Sequence, residues 1–136
     1  MYPKEIYEPM KAELTLLGFD DLATSSDVED ALKKSGTTLV VVNSVCGCAA
    51  ANARPAVRIS LLNEVKPNNL VTVFAGVDSE ATDLVRSHMV PFPPSSPSIA
   101  LFKDGELIHM IERHHIEGRP AEVIADNLVS AYNEYC

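Results

Sequence analysis

Cys46-Gly47-Cys48 is the stretch of this chain best equipped for chemistry. An apolar, β-branched run over residues 39–42 precedes it, and a helix-patterned run over 49–65 follows. Two thiols separated by one glycine at a strand-to-helix junction read as a redox site. A helix N-terminus carries positive partial charge and unpaired N–H groups. Both favour thiolate over thiol, and the thiolate is the nucleophile. Residues i and i+2 of a helix point ~200° apart, so the two thiols cannot both be helical and also pair. Cys46 is therefore expected in the loop, with Cys48 near the first helical turn. A disulfide closed over one residue makes a small ring, and strained, exposed disulfides are labile and oxidising rather than structural.

The elements that must hold this site follow from hydrophobic periodicity. Ile6, Met10, Leu14 and Leu17 recur at helical spacing, and Gly18 is a stop signal. Pro9 disturbs the first turns of that helix. Ser26 and Glu29 have capping-box spacing before a short helix that ends near Gly36. The strand 39–43 leads into Cys46-Gly47-Cys48. The helix after it repeats Ala50, Ala53, Val57 and Leu61 on one face, and Pro55 inside it predicts a kink. Residues 70–75 read as a buried strand and 79–89 as a helix with Ala81, Leu84, Val85 and Met89 inward. The stretch 90–97 holds four prolines and cannot be regular structure. Runs 98–102 and 107–111 flank Lys103-Asp104-Gly105-Glu106, a hairpin signal. A last helix starts near Pro120 and shows Val123, Ile124, Leu128, Ala131 and Tyr135 at helical spacing.

The order αα-β-α-β-α-β-β-α is the layout of the thioredoxin fold. It predicts an α/β protein: one domain over residues 1–136, a mixed central sheet flanked by helices, and extra N-terminal helices. Chain direction then gathers the distant residues. The strand from 98 should run antiparallel to the first strand, which brings Pro97 to the cysteine end. The last strand returns the chain to that rim, so 112–118 contribute Arg113, His114 and His115.

Composition narrows the function. The chain has 136 residues, 46% hydrophobic and 22% charged, which suits one well-cored domain. No apolar stretch approaches the ~20 residues of a membrane span, and the N-terminus lacks an apolar signal core. The chain reads as cytoplasmic, without a membrane partner. A net charge of −8 argues against nucleic acid, whose phosphates need basic clusters. Three cysteines cannot staple a fold, and closely spaced ones in a reducing cytosol are catalytic or metal-binding.

Asn43-Ser44-Val45-Cys46-Gly47-Cys48-Ala49-Ala50, Pro94-Ser95-Ser96-Pro97-Ser98, His115-Ile116-Glu117-Gly118 and the terminal Cys136 together resemble the bacilliredoxin family. The likeness spans nearly the whole chain. It implies a small thioredoxin-like protein that removes bacillithiol from mixed disulfides on cytosolic client proteins. Cys46, first of the motif, would attack the bacillithiol sulfur, free the client thiol and hold the bacillithiol. Cys48 would resolve that adduct and leave an internal disulfide. Pro97 matches the cis-proline that faces the cysteines in such folds, and with Ser96 and Gly47 it would shape the substrate groove. No metal or prosthetic group is implied; bacillithiol is a co-substrate.

Each of these residues has a plainer reading. The thiol pair could be small core hydrophobes, or two ligands of a metal-binding module that only His114 and His115 could complete, since Zn sites want four ligands. His114 or His115 could transfer protons or bind an anion, or simply face water. Arg54, Arg58 and Arg113 could receive carboxylates of a bacillithiol-like ligand, because a planar guanidinium binds them bidentately; otherwise they are solvated surface arginines. Cys136 ends a helix that starts at the active rim and runs away from it for ~20 Å, so topology argues against a resolving role. The rival functions are protein disulfide isomerisation, a thiol-based metal module and a non-catalytic interaction protein.

Overall fold

The computed structural model describes residues 2–136. Its elements are α1 (Lys4–Thr15), β1 (Asp20–Asp21), α2 (Ser25–Lys33), β2 (Thr37–Asn43), a π-helical turn (Ala49–Ala53) running into α3 (Arg54–Ser60), β3 (Asn69–Phe74), α4 (Ser79–Ser87), β4 (Ser98–Lys103), β5 (Glu106–Ile111), α5 (Arg113–Ile116) and α6 (Ala121–Tyr135). The strands form one mixed sheet in the order β1-β3-β2-β4-β5. β2 pairs parallel with β3 and antiparallel with β4, with Val42 opposite Ser98. The β4–β5 hairpin turns on Asp104 and Gly105, both at positive φ, as a type I′ turn requires. The expected α/β architecture and N-terminal helices are present.

Strand alternation splits the core into two layers. Leu39 and Val41 of β2, with Ile99 and Leu101 of β4, face α3 and α6. Val40 and Val42, with Ala100 and Phe102, face the opposite way with residues of α2 and α4. β2 is buried along its whole length. It is therefore a fixed rail, and the loop that follows it starts from a rigid point.

Several expectations about local structure are corrected. The α2 capping box is built by Thr24 and Asp27, two residues earlier than Ser26 and Glu29. β1 was not legible as a strand: it is two exposed aspartates held by parallel pairing with β3. The helix after the cysteines stops at Ser60, not 65, and Ala50 faces solvent while Ala56 and Ser60 are inward. Its kink takes the form of the π turn. Pro55 has no N–H to give and its ring crowds the carbonyl four residues back. The helix widens there, and the Arg54 N–H reaches back five residues to the Ala49 carbonyl. In α6 the buried face carries Ala125 and Tyr132; Val123 is exposed.

Candidate active site

The site is assembled at the end of β2. Asn43, its last residue, is a junction. Its Nδ2 donates to the Met10 carbonyl at 3.2 Å, and its Oδ1 accepts from the Ser44 N–H at 2.9 Å and from Arg54 at 2.9 Å. Ser44 Oγ then accepts the Cys46 N–H at 3.2 Å. The loop before the first cysteine is thus fixed at each residue from Asn43 to Cys46 except Val45.

Cys46 stands where the helix begins. Its carbonyl accepts the N–H groups of Ala49 at 2.9 Å and Ala50 at 3.3 Å. Its Sγ accepts the Cys48 N–H at 3.4 Å. This is the geometry of an N-cap, in which a side-chain acceptor takes one of the otherwise unpaired N–H groups of the first turn. A sulfur carrying negative charge at this point meets an N–H donor and the positive end of the helix. Cys46 is partly exposed, whereas Cys48 retains 9% of its surface. The two form a disulfide with their Cα atoms 5.3 Å apart. Gly47 is exposed, and a Cβ placed on it would meet no atom within 4 Å. Nothing in the fold demands a glycine there. A side chain there would project into open space.

The facing wall is the loop before β4. The Ser96–Pro97 bond is cis, as the resemblance implied, and Pro97 is buried. A second cis bond, Val90–Pro91, was not anticipated among the four prolines of 90–97. Two arginines hold this loop. Arg113 donates its N–H to Ser95 Oγ at 3.4 Å and its guanidinium to the Ser96 carbonyl at 3.4 Å. Arg86 of α4 reaches the Ser95 carbonyl at 3.5 Å. Since Ser98 pairs with Val42, this loop borders the strand end that carries the cysteines.

Arg54 is the main departure from the sequence reading. It is 3% exposed, neither a solvated arginine nor one open to a ligand. Its NH1 donates to Asn43 Oδ1 and, at 3.1 Å, to the Ser44 carbonyl. Nε lies 3.2 Å from Glu13 Oε1, close enough for an ion pair but out of line for a hydrogen bond. Its function is positional: it pins the loop that delivers Cys46. A sequence signal existed, because Arg54 adjoins the inward positions 53, 57 and 60 of its own helix. Arg58 is exposed.

His114 and His115 lie on α5, both exposed, with ring centroids 3.9 Å apart. His115 Nδ1 accepts the Glu112 N–H at 3.1 Å. Among the described residues, one group of three metal-ligating side chains converges: Glu112, His114 and His115. It contains neither cysteine. Cys136 is free and exposed. Lys103 Nζ donates to the neighbouring Tyr135 carbonyl at 3.2 Å. Lys103 pairs with Thr37, at the opposite end of the sheet from Asn43. Six strand residues at ~3.3 Å each separate the two ends, which removes Cys136 from the site.

Residues 2–136 match the profile of a protein family described as disulphide isomerase. The chain is 56% identical over 134 residues to a bacilliredoxin of Cytophaga hutchinsonii, covering 98% of this chain and 99% of that protein. It is 52% identical to a bacilliredoxin of Halalkalibacterium halodurans, covering 99% and 94%. One of Staphylococcus aureus is 46% identical, covering 100% and 94%. Among solved structures, oxidised mitochondrial thioredoxin 3 of Saccharomyces cerevisiae superposes with a TM-score of 0.59 at 17% identity, covering 87% of this chain and 96% of that one. Fasciola hepatica thioredoxin gives 0.58 at 16% identity, covering 87% and 100%. These two likenesses establish the thioredoxin fold.

Proposed function

The chain belongs to the bacilliredoxin family of thiol–disulfide oxidoreductases, and from that premise we propose that it removes bacillithiol from mixed disulfides on client proteins. The observation that carries the reading is the N-cap position of Cys46: partly exposed, with its sulfur accepting the Cys48 N–H, while Cys48 sits buried behind it. The Cys46 thiolate attacks the bacillithiol sulfur of the mixed disulfide. The client sulfur leaves as thiolate and takes a proton from water. Cys48 then attacks Cys46, bacillithiol departs as its thiol, and the Cys46–Cys48 disulfide forms. Two thiols of the protein are oxidised and the mixed disulfide is reduced, so the electrons balance. A further thiol reductant returns the pair to the dithiol.

No metal or prosthetic group takes part; bacillithiol is the co-substrate and bacillithiolated proteins are the partners. The chain works in the cytoplasm, where such adducts form. No helix among the described residues is long and apolar enough to cross a membrane. The open space beside Gly47 and the Ser96–Pro97 wall held by Arg113 supply the groove in which the mixed disulfide lies.

The test is release of client thiol from a bacillithiolated protein by the wild type, Cys46→Ser and Cys48→Ser. The reading expects loss of turnover with Cys46→Ser. It expects Cys48→Ser to need an external thiol. Undiminished turnover by Cys46→Ser would refute it. The family description favours a second reading, disulfide isomerisation with the same nucleophile. Reactivation of a protein with scrambled disulfides, without net reduction, separates the two.

A further inference from the structure

We propose that the pocket between β5 and α6 binds the carboxylate end of the low-molecular-weight thiol, an assignment that rests on the bacillithiol reading above. The pocket has a volume of about 230 Å³, and its apolar walls include Ile111, Val123 and Ile124. Three polar side chains face it: His115, Arg119 and Asn127.

Their hydrogen-bonding roles are fixed by what they already contact. His115 Nδ1 accepts the Glu112 N–H, so the neutral ring carries its proton on Nε2. Asn127 Oδ1 lies 2.7 Å from His109 Nε2. An amide oxygen can only accept, which leaves the Asn127 NH₂ as the free group. The Arg119 guanidinium has no hydrogen-bond or ion-pair partner among the described residues, and an arginine has only donors to offer. The pocket therefore presents three donors; no carboxylate is among its lining residues, and the nearest acid to His115, Glu112, lies outside the lining. In a chain of net charge −8, a concave site lined by donors suits an oxyanion.

Its place ties it to the redox site. Asn52, four residues beyond Cys48 in the π turn, donates to the Arg119 carbonyl. Arg113, at the other end of the same segment, holds Ser96. Residues 112–119 thus run from the cis-proline loop to the helix that starts at the cysteines, and two residues of this segment, His115 and Arg119, line the pocket. A molecule with its sulfur at Cys46 and its carboxylates among His115, Arg119 and Asn127 would span it.

The experiment compares two mixed disulfides on one client protein, one formed with bacillithiol and one with uncharged 2-mercaptoethanol. Arg119→Ala should raise KM for the bacillithiol adduct ~10-fold, equivalent to ~1.4 kcal/mol, with kcat little changed. Asn127→Asp should act in the same direction. Aspartate still accepts from His109 but repels a carboxylate, and it alters neither size nor fold. KM for the 2-mercaptoethanol adduct should be unaffected in both variants. An unchanged KM, or an equal rise for both adducts, would overturn the pocket while leaving the bacillithiol reading intact. Failure of the wild type to release bacillithiol at all would remove both.

Discussion

Replacing Arg54 by methionine keeps a long side chain in the core but removes the buried cation that ties α3 to the loop before Cys46. Two hydrogen bonds from a charged donor are lost, to Asn43 Oδ1 and to the Ser44 carbonyl. Bonds to charged groups contribute ~1.5–3 kcal/mol each. Both come from one nitrogen and Asn43 Oδ1 keeps the Ser44 N–H, so the lower end applies, about 3 kcal/mol in all. With an unfolding entropy of ~2.1 cal/mol/K per residue, a chain of 136 residues should lose about 10 °C in Tm. Glu13→Gln is the control. Its carboxylate is half exposed, and exposed ion pairs contribute ~0–1 kcal/mol, so Tm should fall by less than about 4 °C. Thermal melts followed by circular dichroism at neutral pH measure both. Turnover of a mixed disulfide should also drop in Arg54→Met at temperatures where it remains folded, because the Cys46 loop is no longer pinned. A Tm within about 3 °C of wild type, with full turnover, would refute the claim that this guanidinium positions the site.

Burial pushes the Tyr132 phenol up to about 12, against the lowering effect of its hydrogen bond to Ser60 and with negative charge at Cys136 adding to the rise. Its contribution to stability is complete below the ordinary tyrosine value of ~10 and is lost as pH rises through about 12. Lys11 has the same sign: burial pulls its ammonium down, but hydrogen bonds to Asp78 and Asp21 and their charges outweigh that and raise it above 10.5. The tyrosinate absorbance that Tyr132→Phe removes should appear only as the fold is lost in strong alkali; its appearance near pH ~10 with the fold intact would contradict this. Thr24→Ala should cost ~1 kcal/mol through loss of the α2 cap, measured by urea denaturation, while Ser26→Ala should cost almost nothing; the reverse order would restore the cap expected at Ser26. Acid should weaken the same cap, because hydrogen bonds from the Ala23 backbone and from Thr24 hold the Asp27 carboxyl below 3.8, so its contribution is full above that value and fades as pH falls below it; amide exchange in α2 that does not quicken in acid would contradict this.

The frame of the fold was legible because its signals are local. The β-branched run of β2, the Asp104-Gly105 turn and the apolar spacing of α4 each specify one conformation. The cysteine pair and Pro97 were legible for a different reason: their residue types have few other uses at those places in the chain. What escaped depended on tertiary partners. β1 has no strand signal of its own and exists through pairing with β3. The π turn needed the joint effect of Pro55 and the packed helix around it. Arg54 reads as a surface residue by type, and only its acceptors, Asn43 and Ser44, make its burial tolerable. The β5–α6 pocket draws His115, Arg119 and Asn127 from a short helix, a loop and a long helix. No spacing in the sequence brings those three together.

The central claim is that Cys46 takes bacillithiol from the client and Cys48 releases it. The direct measurement is mass spectrometry of Cys48→Ser after incubation with a bacillithiolated client in the absence of other thiols. The account predicts one bacillithiol bound in disulfide linkage at Cys46, in step with the appearance of free client thiol, and far less of this adduct in the wild type, where the Cys46–Cys48 disulfide replaces it. Bacillithiol found on Cys136, or no adduct on Cys46 while client thiol is released, would contradict it.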